Sequence, residues 1–207
     1  RLSQTQDLDP IKSPLMGVEF FRKFYFVDGK NYKVYTPLES SVVGVPGTLD
    51  DWNATSGLGT LPGGNGTFGT LGSGESNGNA RCSIITSWLG RIVLSGKSDD
   101  PQNWYMSAVG DPLNWEVDGG DPDNGAVTGS STTRFGEMAS AVTALIPFSH
   151  TSLVVGGTTS LHMLSGDPLW DSSEQRALSL DVGIVGPQAW CYGPVHSLYF
   201  MSENGLY

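Results

Sequence analysis

The side chains able to do chemistry are few in this sequence, and their spacing argues against most reactions. The three histidines, His150, His162 and His196, have no i, i+4 partner, and neither Cys82 nor Cys191 belongs to a Cys-x-x-Cys pair. A zinc site, which needs such clustered N and S ligands, is not expected. His162 falls within an apolar strand pattern and is expected to be a packed side chain. The densest carboxylates lie in Glu116-Val117-Asp118-Gly119-Gly120-Asp121-Pro122-Asp123-Asn124-Gly125. Asp118, Asp121 and Asp123 could offer three oxygens to calcium. Counted from Asp121, however, the fifth loop position is Gly125 and the twelfth is Thr132, where an EF-hand needs an oxygen ligand and a Glu. A solvated turn is the expectation. Glycoside hydrolysis needs an acid paired with a nucleophile or base across the scissile bond, and no such pair of carboxylates stands out. No Gly-rich loop is followed by Lys-Ser/Thr, as phosphate binding would require. Asn53-Ala54-Thr55 and Asn65-Gly66-Thr67 fit the glycosylation triplet, a pattern common by chance. The expectation is a protein that is not an enzyme, with no catalytic, cofactor-binding or metal-binding residues and no cofactor.

The framework is set by composition. Among 207 residues there are 28 Gly and 12 Pro, with 38% hydrophobic and only 15% charged residues. Glycine is about twice its usual share of roughly 7%, and charge is well below the usual quarter. This excludes a coiled coil, a helical bundle and a highly charged disordered chain, and glycine without a three-residue period excludes collagen. A loop-rich all-β protein remains. Two cysteines are too few for a disulfide scaffold and are expected to be two buried free thiols.

The formal charge of −10 is uneven. Residues 1–97 hold nine Lys/Arg and eight Asp/Glu, whereas residues 98–207 hold two (Arg134 and Arg176) and thirteen. An acidic half repels phosphates, so gripping of nucleic acid is not expected, although DNA could slide past an acidic wall. No stretch approaches the roughly 20 apolar residues that cross a bilayer, and no basic-then-apolar leader opens the sequence. A chain running from Arg1 to Gly205-Leu206-Tyr207 reads as a trimmed piece.

Residues 1–16, with Pro10 and Pro14, read as an extended arm or linker, and residues 17–207 as one domain, incomplete at its C-terminus. The run Gly17–Val27 is dense in aromatic and β-branched residues, and Asp28-Gly29-Lys30-Asn31 then signals a hairpin into Tyr32-Lys33-Val34-Tyr35. The same phrase returns three times. Arg91-Ile92-Val93-Leu94-Ser95-Gly96 leads through a longer turn to Asn103-Trp104-Tyr105-Met106-Ser107. Ser152-Leu153-Val154-Val155-Gly156-Gly157 leads to Ser160-Leu161-His162-Met163-Leu164-Ser165. Ser197-Leu198-Tyr199-Phe200-Met201-Ser202 leads through Glu203-Asn204-Gly205 to Leu206-Tyr207. The phrases begin at 24, 91, 152 and 197, so the gaps are 67, 61 and 45. The last gap suits a propeller blade of roughly 40–50 residues, and the longer ones require insertions.

A Gly-rich insertion at 56–80 and a polar one at 116–133 supply the extra length, and both are expected to be surface loops that pack little. Phe135, Met138, Val142 and Leu145 fit a short helix and a strand equally well. Two of the phrases are followed by a second echo, Gly110-Asp111-Pro112-Leu113-Asn114-Trp115 and Gly166-Asp167-Pro168-Leu169-Trp170. Proline fixes its own φ and keeps the preceding Asp out of the helical region, making a stiff turn over which the following Trp is expected to fold.

The order of these phrases resembles tailed-phage virion proteins. Trp88–Gly96, Asp100-Pro101, Trp104–Ser107 and Val109–Trp115 are similar to a block in that family. So are Val142–Phe148 with Ser152–Gly157 and the following Gly-Asp-Pro, and Ser179–Pro187 with Ser197–Gly205. The resemblance covers residues 85–207 and implies an irregular or partial β-propeller, built of antiparallel hairpin repeats with long insertions. It also implies a structural subunit of a tail (tubular or nozzle) or neck assembly. Expected partners are copies of itself in a ring, neighbouring tail or neck proteins, and genome DNA passing through without sequence-specific contact. The expected place is the virion, assembled in the host cytoplasm, with no membrane span. The family brings no catalytic residues. The alternative is a carbohydrate-binding or carbohydrate-cleaving propeller acting on a host surface glycan. Trp52, Trp104, Trp115, Trp170 and Trp190 could then be stacking platforms, although core anchoring suits them better. Ser98-Asp99-Asp100-Pro101-Gln102-Asn103-Trp104 resembles the Asp-box turn of sialidases, but lacks its central Gly and is shorter.

Overall fold

The computed structural model describes residues 14–37, 47–65, 80–117, 125–129 and 135–207. These form four antiparallel sheets, each a meander whose strands follow one another in sequence, and no helix occurs among the described residues. Sheet I comprises β1 (Met16–Phe20), β2 (Lys23–Val27), β3 (Tyr32–Thr36) and β4 (Thr48–Asp51). Sheet II comprises β5 (Ile84–Trp88), β6 (Arg91–Lys97), β7 (Asp100–Met106) and β8 (Val127–Thr128). Sheet III comprises β9 (Val142–Ser149), β10 (Ser152–Gly157), β11 (Leu161–Ser165) and β12 (Glu174–Ser179). Sheet IV has three strands, β13 (Trp190–Gly193), β14 (Ser197–Ser202) and β15 (Gly205–Leu206). The four recurring phrases are thus the second and third strands of four separate sheets.

Each phrase is also preceded by a strand, and of these four only β9 was legible in the sequence as a possible strand. The run Gly17–Val27 is two strands, cut at Phe21 and Arg22, whose φ values are +48° and +61°. Leu89-Gly90 (+49°, +67°) makes the corresponding turn in sheet II, and Val195-His196 (+59°, +56°) lies between the first two strands of sheet IV. Paired left-handed residues twist a tight hairpin the way the strands require, and Asn-Gly normally signals them. Only one of these six residues is glycine, so the usual cue is missing.

Other turns follow the chemistry more closely. The Asp28 carboxylate accepts the backbone N–H groups of Lys30 (2.9 Å) and Asn31 (2.6 Å) and the Asn31 side-chain amide (2.7 Å), while Gly29 supplies φ +81°. The turn between β6 and β7 is shorter than expected. Lys97 already pairs with Asp100, leaving only Ser98-Asp99 between the strands, and a bulge after Ser95 absorbs the offset. Val142 and Leu145 belong to β9, while Phe135 and Met138 are buried in the segment before it, which settles helix against strand in favour of the strand.

Three cores lie between successive sheets. In β6, Ile92 and Leu94 join the core with Tyr25, Val27, Tyr32 and Trp52, whereas Val93 joins the core with Leu145, Leu153, Val155 and Leu164. In β10, Leu153 and Val155 face that second core, and Val154 faces a third with Ala144, Ile146 and Ile184. Successive strand residues point to opposite faces, so a strand covered on both sides must be apolar continuously. This is why Ile92-Val93-Leu94 and Leu153-Val154-Val155 show no alternation. Sheet IV is covered on one side only: Leu198 and Phe200 pack on the third core, while Tyr199, Met201 and Leu206 remain exposed.

Part of the Gly-rich insertion packs, contrary to expectation. Leu61 is fully buried in the core between sheets I and II, and the carbonyl of Pro62 accepts the Tyr32 hydroxyl at 2.8 Å. The insertion is anchored by Arg81, which lies over the Tyr32 ring (5.2 Å) and donates to the carbonyls of Asn65 (2.5 Å) and Lys30 (3.1 Å). Residues 66–79 lie outside the described residues, as do residues 1–13 of the expected arm; Met16, assigned to that arm, opens β1.

Candidate functional site

The two Gly-Asp-Pro phrases build the same turn. In each, the Asp side chain accepts the N–H two residues on, Leu113 from Asp111 at 2.9 Å and Leu169 from Asp167 at 3.1 Å. The glycine adopts a positive φ in both, +70° at Gly110 and +78° at Gly166. Each glycine N–H reaches back to the residue just before the second strand of its sheet, Gly110 to the Gly90 carbonyl (2.7 Å) and Gly166 to the Thr151 carbonyl (2.8 Å). The tryptophans diverge. Trp115 folds over its turn, donating Nε1 to the Pro112 carbonyl at 3.0 Å, a carbonyl shared with Trp52 Nε1. Trp170 stands one residue closer to its Pro, in the place of Asn114, and is 57% exposed. The expectation that it too anchors its turn is therefore overturned.

Arg91, buried at the start of β6, ties the end of β7 to the second of these turns. Its guanidinium donates to the carbonyls of Ser107 (2.8 Å) and Gly125 (2.6 Å) and lies 3.4 Å from the Asp167 carboxylate. Burial pulls its affinity for a proton down, and Asp167 partly restores it. Sequence reading gave Arg91 no role; the available signal was a cation leading an apolar strand, with an acidic turn one repeat later.

The histidines divide into one packed and two open. His162 is buried in β11, and burial lowers its pKa, as its strand position suggested. His150 and His196 are exposed and line one cleft of about 710 Å³. This cleft is formed where the first turns of sheets II, III and IV converge, with Ser87–Gly90 on one side, Pro147–His150 on another and Tyr192, Gly193 and Val195–Ser197 on the third. Its walls are pinned by Trp88 Nε1 donating to the Ser149 carbonyl (2.9 Å) and by the Tyr192 hydroxyl donating to the Pro147 carbonyl (2.5 Å). Trp190 packs edge-on against Tyr192 at 5.2 Å. Among the described residues no Asp, Glu, Lys or Arg lines the cleft. A turn of ordinary residues forced left-handed at Val195-His196 marks the place, a feature invisible in the sequence because neither residue favours that conformation.

The remaining candidates do not assemble into a site. Among the described residues no group of three His, Cys, Asp or Glu side chains could hold a metal ion. Asp118, Asp121 and Asp123 lie outside them. In the segment resembling an Asp-box, both Asp100 oxygens are taken by internal donors, Asn103 Nδ2 (2.5 Å) and the Tyr105 hydroxyl. The Asn65 side chain accepts the Ala54 N–H at 3.0 Å and so holds a loop. Both thiols are free, but only Cys82 is buried; Cys191 is exposed, against expectation. Sequence reading also passed over Gly74-Glu75-Ser76-Asn77-Gly78, which fits the Gly-x-Ser-x-Gly pattern but follows a polar Gly/Ser run instead of the apolar strand a nucleophile elbow needs, and lies outside the described residues. No described helix is long and apolar enough to cross a membrane. No protein-family model matches the chain, and no curated protein matches it.

Proposed function

We propose that the chain is a structural virion protein, a ring-forming subunit of a phage tail or neck whose four sheets are blades of an irregular β-propeller. The blade reading is supported by the stacking of each meander on the next and by the first strands β1, β5 and β9, which touch in succession. The phrases that carry the family resemblance fall on corresponding parts of the sheets: β6 and β7 with their Gly-Asp-Pro turn, β9 and β10 with the second Gly-Asp-Pro turn, and β14 with the link that precedes sheet IV.

The observation that carries assembly is the outer face of sheet IV. Tyr199, Met201 and Leu206 are exposed together on a sheet whose other face is packed, and Phe24 is exposed at the opposite end of the series, on sheet I. Such a face takes a further sheet, either one that follows in the same chain or one of a neighbouring subunit, and a head-to-tail contact between subunits gives a ring where its rotation closes and a filament where it does not. The acidic half of the chain suits a wall that DNA passes without adhering. Native mass spectrometry with particle imaging tests the reading. Closed rings are expected, and Met201→Lys should dissociate them; a strictly monomeric particle at high concentration would overturn it.

A further inference from the structure

The geometry points to the cleft between Leu89, His150, Tyr192 and His196 as a binding site for a neutral sugar chain. Its volume, about 710 Å³, lies in the range of small-ligand sites, and it is made by three sheets converging, as such sites commonly are. The lining selects the ligand class. A ligand with a formal charge would find no Lys, Arg, Asp or Glu to pair with among the described lining residues. A purely apolar ligand would offer no partner to the two imidazoles or to the hydroxyls of Ser87 and Ser197 in the lining, which costs affinity. A saccharide offers both an apolar ring face and a rim of hydroxyls, each donor and acceptor. Tyr192 supplies a ring for the first, held by its hydroxyl bond to Pro147 and by Trp190 behind it. His150, His196 and the serines supply partners for the second.

A second observation falls at the same place. Val195 is 92% exposed and β-branched, yet holds φ +59°, beside His196 at +56°. Strained residues of this kind gather at ligand clamps, where the surrounding structure holds them for a purpose other than stability. The inference is one of binding: glycoside hydrolysis canonically uses two carboxyl groups, and none lines the cleft among the described residues.

The test uses the whole chain and is independent of ring formation, so the two readings can fail separately. Maltohexaose, cellohexaose, chitohexaose and isomaltohexaose are titrated separately while the imidazole NMR signals are followed, with sialyllactose and inorganic phosphate as charged probes. At least one neutral hexasaccharide is expected to shift His150 and His196 and leave His162 unmoved. Tyr192→Ala should weaken that binding at least about tenfold, the loss of one stacking contact, and Tyr192→Phe, which keeps the ring but loses its bond to Pro147, should weaken it less. His196→Asn, which tolerates the left-handed turn, should weaken it while leaving the thermal midpoint in place. Silence of His150 and His196 toward all four sugars at about 10 mM, where even millimolar binding registers, would overturn the inference. So would shifts produced by a charged probe alone, or sugar binding indifferent to Tyr192→Ala.

Discussion

Arg91 of sheet II and Asp167 of sheet III lie 3.4 Å apart, the guanidinium fully buried and the carboxylate about three-quarters buried. One repeat thereby holds the turn of the next. The same Asp167 oxygen accepts the Leu169 N–H, so a single carboxylate shapes its own turn and meets the neighbouring sheet's cation. Removing one member of a buried pair strands the other, at a cost of about 3–5 kcal/mol. Arg91→Ala leaves the Ser107 and Gly125 carbonyls without their donor as well, and should fall in that range in equilibrium urea unfolding. Asp167→Asn keeps the turn's acceptor and loses only the charge, so about 1–2 kcal/mol is expected.

Gly183 sits where the link from sheet III to sheet IV crosses the end of β10. A Cβ there would lie 2.2 Å from the backbone oxygens of both Gly157 and Thr158. The Gly157 oxygen is already bonded to the Ile184 N–H at 2.8 Å, so the backbone has little room to yield. Gly183→Ala should cost about 1–3 kcal/mol or more, as overpacking does. Gly186→Ala, three residues on with open space around it, should stay within about 0.5 kcal/mol. Comparing thermal midpoints of the two variants checks the contrast.

The sequence made some parts of this molecule plain and hid others for identifiable reasons. The Asp28–Asn31 hairpin and both Gly-Asp-Pro turns were readable because their geometry depends on side chains that force it. The strands Ile92–Leu94 and Leu153–Val155 were readable as strands, but their continuous apolar runs gave no hint of which core each residue joins. The first strands of sheets I and IV escaped notice because Phe21-Arg22 and Val195-His196 adopt left-handed turns through tertiary constraint, not local preference, whereas β9 was legible as one of two readings of Val142 and Leu145. The cleft depends on the first turns of three sheets meeting, two of them left-handed, with His150 and His196 46 residues apart in the chain. The burial of Leu61 could not be inferred because its neighbours are nearly all Gly, Thr and Pro.

The two thiols should separate in reactivity. Burial pushes the Cys82 thiol up to about 12, so it stays protonated at pH 8 as well as inaccessible, whereas Cys191 is exposed. A disulfide reagent at pH 8 should modify one thiol per native chain and two after denaturation, with Cys191→Ser abolishing the native reaction.

The same burial sets the alkaline limit of the fold. Cys82 rises from about 9 to about 12 on folding, Tyr25 rises to about 12, and Tyr32 is also held well above its usual value, each chiefly by burial. These acids are neutral when folded and ionise first when unfolded, so the folded state binds more protons above about pH 9. Their contribution is complete below that pH and is lost as pH rises toward 12, by up to about 1.4 kcal/mol per unit for each group. The urea midpoint should hold level from pH 7 to 8 and fall beyond 9. Cys82→Ala should delay the fall toward pH 10, where the tyrosines begin to contribute. A midpoint that rises between pH 9 and 10 would contradict this account.

Val195 gives the sharpest trade between stability and a working surface. Its side chain is almost wholly in solvent, so replacing it removes little packing, while a left-handed conformation costs an ordinary residue about 1–2 kcal/mol. Asparagine tolerates that conformation. Val195→Asn should therefore stabilise the fold by about 1 kcal/mol, seen as a higher urea midpoint with an unchanged slope. A destabilised variant would mean that Val195 makes contacts its exposure conceals. Stabilisation accompanied by weaker sugar binding would place the strain in the service of the cleft, since a residue held against its preference and against stability must be retained for what it touches.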